Sequence, residues 1–185
     1  MGKSTTAQMF ADQGIPVWDA DAAVHRLYDT NGAGIEPITA LCPDAIIDGR
    51  VDRAVLKNWI SDDPTALKKI ETVVHPLVAA DRAAFIEQAD ADIVLLDIPL
   101  LFETGGKTAM DAVVVVTAPA EVQRKRVMER PGMTTAHFET ILAKQTPDHV
   151  KRARADYVIE TNTLESAKLA VQACIQDIKR KIRDA

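Results

Sequence analysis

Three things are scarce in this sequence, and each scarcity closes a class of function. Cysteine occurs only at Cys42 and Cys174, far apart, with no C-x-x-C pair and no histidine at ligand spacing. That excludes a disulfide framework or a cysteine-based metal site and leaves two reduced structural thiols, as expected in the cytosol. Positive charge is in deficit: 22 Lys and Arg stand against 27 Asp and Glu, a formal charge of −5. The overall field does not favour nucleic acid, so an anionic ligand must be met by a local cluster of Lys and Arg. Hydrophobic runs are short. Ile93-Val94-Leu95-Leu96 and Ala112-Val113-Val114-Val115-Val116 fall well below the roughly 20 apolar residues of a membrane span. With no secretory signal or lipidation motif at its start and no repeat or low-complexity segment, a soluble cytoplasmic protein is expected, without nucleic-acid or membrane partners.

What remains is ordinary globular material. The 185 residues are 47% hydrophobic and 26% charged, enough for one domain with room for an inserted subdomain. A helix is predicted over Lys3–Gln13, capped by Gly14, followed by a short buried strand, Ile15–Trp18. Helix signals resume over Asp21–Leu27, and Thr30–Gly34 reads as a loop. From Glu36 to about Gln88 the pattern is mostly helical, broken at Pro43, Asp48-Gly49 and Asp63-Pro64. His75-Pro76 is expected to kink or divide a long helix. Ile93–Ile98 is apolar on both parities, the mark of a strand buried on both faces in a parallel sheet. A further strand is predicted over Ala112–Thr117 and a helix over Ala120–Arg130, stopped by Pro131-Gly132. Helices over Thr135–Lys144 and Asp148–Ala155, a strand over Tyr157–Ile159 and an amphipathic helix over Leu164–Arg183 complete the chain. Strands alternating with helices predict an α/β fold with a parallel sheet, four strands of which are visible.

Several motifs carry chemistry, each with a plainer alternative. Gly2-Lys3-Ser4-Thr5 matches the end of the phosphate loop G-x-x-x-x-G-K-[ST], in which backbone N–H groups and a helix N-terminus hold phosphate. Lys3 would reach the outer phosphates and Ser4 would hold Mg²⁺; alternatively, Ser4 and Thr5 merely begin a terminal helix. Asp19-Ala20-Asp21 follows a predicted strand, where carboxylates can orient an acceptor hydroxyl, take its proton or hold metal-bound water. Asp is also a favoured helix cap, and one Asp as cap with the other as catalytic group is the most economical division. Asp97 closes the Ile93 strand, where a carboxylate can support Mg²⁺ or simply end the strand. Arg126 and Arg130, four residues apart, share a helix face and could clamp a phosphoryl group; Arg124 and Lys125 complete a basic run that a solvated surface also explains. Pro131-Gly132 and the helix after it read as a mobile lid. His25 and His75 lack ligand spacing and suit structural or substrate-lining roles. Lys151-Arg152-Ala153-Arg154 could help bind a phosphate, but solvated surface is the simpler reading.

Taken in order, these motifs resemble the dephospho-coenzyme A kinase family of the P-loop kinase superfamily along essentially the whole chain. The resemblance rests on Gly2-Lys3-Ser4-Thr5, Asp19-Ala20-Asp21 with His25, and Asp48-Gly49-Arg50-Val51-Asp52-Arg53. It continues through Val74-His75-Pro76-Leu77, Ile98-Pro99-Leu100-Leu101-Phe102-Glu103, Gln123 to Arg126 with Arg130, Gln145, and Asp156-Tyr157-Val158-Ile159. It implies transfer of the ATP γ-phosphate to the ribose 3′-hydroxyl of dephospho-CoA, the last step of CoA synthesis, with Mg²⁺. It also implies a three-layer α/β/α fold with a five-stranded parallel sheet. Residues 1–28, 90–118 and 147–185 would form the nucleotide-binding core, 29–89 the helical substrate region and 119–146 the lid.

On that resemblance Asp21 orients or deprotonates the 3′-hydroxyl, while Lys3, Arg126 and Arg130 stabilise phosphoryl charge. Gly2, Lys3, Ser4 and Thr5 bind ATP; Asp19, His75, Pro99 and Leu100 meet the substrate; Ser4 and Asp97 hold the metal. A monomer or small homo-oligomer is expected. Two departures accompany the match. The first half of the phosphate loop and the strand before it are missing, and a missing central strand would leave backbone groups unpaired. These cost about 1–3 kcal/mol each against a total margin of about 5–15 kcal/mol. Initiation at an internal methionine, with the native start further upstream, is therefore expected. Glu160-Thr161-Asn162-Thr163 also replaces the family's usual turn with Asn and Gly, which unsettles adenine contacts there. Two other readings stay open: a small-molecule P-loop kinase with a nucleotide or sugar acceptor, and a catalytically dead, truncated nucleotide-binding protein.

Overall fold

Gly2, left-handed at φ 86°, opens α1 (Lys3–Ala11), and Gly14, at φ 81°, closes the turn after it, where the sequence places a cap. A computed structural model describes residues 2–103, 105 and 109–184. Packing divides the chain into two compact units, Met1–Ile15 with Asp97–Ala185 and Pro16–Leu96. α1 belongs to the first.

The Pro16–Leu96 unit begins with β1 (Val17–Asp19), which passes directly into α2 (Ala20–Tyr28). Asp19 makes the junction: its carboxylate accepts the Ala22 N–H at 2.7 Å, satisfying one of the orphan donors of a helix start. After α3 (Ile35–Leu41) and a short 3₁₀ turn, β2 (Ile46–Ile47) and β3 (Arg50–Val51) form an antiparallel hairpin. This corrects the expectation of a simple break in a helical region. Asp48 and Gly49 both have positive φ, 50° and 74°, as tight two-residue hairpins of the primed type require. α4 (Arg53–Asp62) follows, capped by Asp52, whose carboxylate accepts the Ala54 and Val55 N–H groups at 2.7 and 3.0 Å.

α5 (Ala66–Gln88) runs without division through Pro76, where the sequence predicts a kink or a division. An interior proline costs about 3 kcal/mol. Burial of Ala66, Ile70 and Val74 along the helix, packed with α2 and α3, opposes that cost. β4 (Leu95–Asp97) pairs with β1, the Leu95 N–H reaching the Pro16 carbonyl at 2.8 Å. The hydrophobic core of this unit gathers Leu27, Tyr28, Ile38, Ala45, Val51, Leu56, Ile70 and Val74.

In the other unit, β5 (Val114–Thr117) precedes α6 (Ala120–Met128), α7 (Thr135–Ala143), α8 (Asp148–Arg154), β6 (Tyr157–Glu160) and α9 (Leu164–Arg183). β5 and β6 are parallel, with Val114 opposite Tyr157 and Thr117 opposite Glu160. Their connection runs through helices, as parallel strands require. α9 packs on β6 and α1 and buries Ala167, Val171, Cys174 and Ile175. Thr163 and Ser166 start it with reciprocal side-chain and backbone hydrogen bonds. Both cysteines are free, and burial, reinforced by Asp177, pushes the Cys174 thiol up to about 11. The four strands expected from sequence are all present, and no described helix is long and apolar enough to cross a membrane.

Gly32 offers a test of the loop after α2. A methyl group there would lie 2.2 Å from the Leu27 carbonyl oxygen and 2.5 Å from that of Arg26. Backbone, unlike a flexible side chain, cannot yield cheaply, so Gly32→Ala is expected to destabilise by about 1–3 kcal/mol. Urea unfolding should show a lower midpoint at unchanged slope.

Candidate active site

The first turn of α1 presents backbone N–H groups with no side-chain cap, the arrangement that attracts anions. Lys3 stands at its head and forms an ion pair with Asp97. The Lys3 side chain is 45% exposed and that of Asp97 only 3%, so the cation retains access to solvent while the carboxylate is fixed at the end of β4. The second carboxylate oxygen, Oδ2, is buried and has no partner among the described residues, as is true of the Thr6 hydroxyl. A buried carboxylate oxygen without a donor is costly and suits a cation or an ordered water. Ser4 is exposed on the first turn. One carboxylate and one hydroxyl fit Mg²⁺, which fills its remaining positions with water and substrate phosphates. Among the described residues no cluster of three or more His, Cys, Asp or Glu forms a denser metal cage.

Beside this turn lies a cleft of about 360 Å³ lined by Gly2, Thr5, Arg126, Thr161, Asn162 and Leu164, among others, a size suited to a small molecule. Arg126 is the cation on its wall. Its guanidinium donates to the Thr161 hydroxyl at 3.0 Å and to the Thr161 carbonyl at 2.9 Å. Arg130 is placed differently from expectation. α6 ends at Met128, so Arg130 stands past the helix, exposed in the turn before Gly132, and does not share a helical face with Arg126. α6 and α7 pack together, with the Arg124 guanidinium 5.5 Å from the centre of the Phe138 ring.

In the segment after β4 the sequence singles out Pro99 and Leu100, while the contacts of Glu103 have no trace in it. Leu100 adopts a left-handed φ of 57°, a conformation that costs a branched side chain about 1 kcal/mol or more and gathers at functional sites. Pro99 precedes it, half-buried. Glu103 accepts the Thr146 N–H at 2.7 Å and pairs with Lys151 at 3.0 Å. Lys151 is thus largely buried, 13% exposed, a correction to its reading as solvated surface. Burial opposes charge on Glu103, but the Thr146 N–H and Lys151 outweigh it and hold the carboxyl below its ordinary range.

Asp19, Asp21, His25 and His75 belong to the Pro16–Leu96 unit. Asp19 is committed as the cap of α2, and Asp21 is exposed in the first turn, where the helix end favours negative charge. His25 accepts from Arg53 at 3.2 Å, and Arg53 lies 5.8 Å from the Tyr28 ring centre. Burial pushes the Tyr28 phenol up, against the pull of Arg53. His75 is exposed on α5. Asp81 ties α5 to β1 and α2, accepting the Trp18 indole N–H at 2.7 Å and the Arg26 guanidinium at 2.5 Å.

Comparison with known proteins gives one answer. A model of the dephospho-CoA kinase family matches residues 1–166. The dephospho-CoA kinase of Cereibacter sphaeroides is 59% identical over 97% of this chain and 91% of its own length. That of Ruegeria pomeroyi is 59% identical over 99% and 91%. Among solved structures, a Thermus thermophilus protein superposes with a TM-score of 0.82 at 33% identity, covering 95% of this chain and 91% of its own. Dephospho-CoA kinase from Campylobacter jejuni gives 0.72 at 25%, covering 97% and 92%.

The Glu103 clamp has a pH signature. Its depressed carboxyl stabilises the fold fully above the ordinary value of 4.5, and that contribution is lost as pH falls through the lower folded-state value. Glu103→Gln is expected to lower the melting temperature at pH 7 and to flatten the decline in stability below pH 4.5, followed by thermal melts across pH.

Proposed function

This chain belongs to the dephospho-CoA kinase family, and we propose that Gly2–Thr5, Asp97, Arg126 and Asp21 carry out that reaction. The enzyme is a kinase that uses ATP to phosphorylate dephospho-CoA, giving CoA and ADP in the final step of CoA synthesis. The comparisons lend no support to another acceptor class or to a catalytically dead chain. The observation that carries the residue assignment is the α1 N-terminus beside a cleft, with Lys3 paired to a buried carboxylate whose other oxygen lacks a donor among the described residues.

Gly2, Lys3, Ser4 and Thr5 bind the phosphates of ATP through backbone donors, with Lys3 leaving Asp97 for the outer phosphate. Asp21 receives the proton of the ribose 3′-hydroxyl as its oxygen bonds to the γ-phosphorus and the bond to ADP breaks. Arg126 and Arg130 stabilise charge on the transferring group. Asp19, beyond capping α2, meets the acceptor together with His75, Pro99 and Leu100. Ser4 and Asp97 would hold Mg²⁺, which would neutralise phosphate charge when bound. Residues 1–28, 90–118 and 147–185 serve as core, 29–89 as substrate region and 119–146 as lid, which would make the α6–α7 pair the moving element. The enzyme works in the cytoplasm as a monomer or small homo-oligomer, without nucleic-acid or membrane partners.

A coupled assay across nucleotide, sugar and dephospho-CoA acceptors tests the reaction, and lack of preference for dephospho-CoA would overturn it. Asp21→Asn is expected to lower kcat by at least about 10²-fold while ATP affinity changes little; near-normal turnover removes Asp21 from the mechanism. Asp97→Asn should raise the Mg²⁺ concentration needed for half-maximal rate by about tenfold, read from a metal titration.

A further inference from the structure

A helix that buries none of its residues gives its arginines little purchase. α6 is such a helix, yet the Arg126 guanidinium is fixed by two hydrogen bonds to one residue, Thr161. Thr161 is itself well anchored. It is 7% exposed, and its hydroxyl donates to the Thr117 carbonyl at 3.1 Å, which also accepts the Thr161 N–H at 2.9 Å. The Thr117 hydroxyl in turn donates to Asp148 at 2.8 Å. The adjoining ends of β5 and β6 thus form a rigid polar junction, and the Thr161 hydroxyl, having given its proton to Thr117, offers Arg126 an oxygen polarised by that bond. The same side chain also lies beside Gly2: a Cβ built on Gly2 would lie 3.5 Å from Thr161 Cγ2 and 3.6 Å from both its Cβ and its Oγ1.

The geometry points to Thr161 as a positioning residue of the phosphoryl-transfer site, holding the Arg126 guanidinium on the cleft wall beside Gly2. This rests on the reading of that cleft as the nucleotide site. Serine would keep the hydroxyl that accepts from Arg126, and valine would remove it. The assignment gives a role to the turn at which the sequence departs from its family. Arginine has many rotamers, and a planar fork held at both nitrogens loses that freedom before substrate arrives rather than on binding.

The test is a double-mutant cycle on kcat/KM for ATP, with ATP affinity measured in parallel without acceptor, for T161V, T161S, R126A and R126A/T161V. Valine is close to isosteric and keeps the backbone bond to Thr117, and thermal melts report any loss of fold. T161V is expected to lose about tenfold in kcat/KM, T161S to recover most of it, and R126A to lose more. The double variant should then match R126A within about twofold, since Thr161 has nothing left to position. Wild-type values in T161V, no recovery in T161S, or losses that multiply in the double variant would overturn the proposal. Should the acceptor prove to be another molecule, the cycle in ATP affinity still decides the role of Thr161; a wild-type enzyme that binds no ATP overturns both readings.

Discussion

The parallel pairing of β5 with β6 is the constraint on which the cleft beside α1 depends. It brings Thr117 and Glu160 opposite one another, so the residue after each strand emerges at the same edge. Thr161 hydrogen-bonds back to Thr117, Thr117 reaches Asp148 at the start of α8, and Arg126 reaches across to Thr161. A register slip of one residue would reverse every side chain of β6, burying Glu160 and turning Ile159 outward. Burial of Val115 and Ile159 therefore selects the register that sets the arginine.

Charge follows the same economy. A chain of net −5 that handles polyphosphate must concentrate its few available cations. Lys3 is kept at the head of α1 by Asp97 and Arg126 by Thr161, two different solutions to holding a long cationic side chain. In the proposed site the carboxylate partner is a competitor for the lysine that phosphate would displace. The threonine is neutral and does not offset the guanidinium charge.

Much of this was legible in the sequence, and what was not has physical reasons. Asp19-Ala20-Asp21 resolved into cap and exposed acid because a strand running straight into a helix leaves the first Asp no other place. The hairpin at Asp48-Gly49 was missed because its strands, Ile46–Ile47 and Arg50–Val51, are too short to show period-two alternation, although the Asp-Gly pair was itself the signal. Lys151 looked solvated since its partner, Glu103, lies 48 positions earlier, and pairing across such a separation has no local trace. Thr161 was equally silent: a lone threonine in a turn acquires its role only from the strand register. Arg130 shared a helical face with Arg126 only as long as the helix was assumed to extend to it, and Glu129 ends that extension.

The passage of α5 through Pro76 has one more consequence. Proline donates no hydrogen, so the Thr72 carbonyl lacks its regular partner midway along a 23-residue rod. Water or a slight bend must serve that oxygen, and the ladder is thinnest there. The helix is continuous in shape yet interrupted in its bonding. A long helix thereby contains its own joint, next to an exposed histidine.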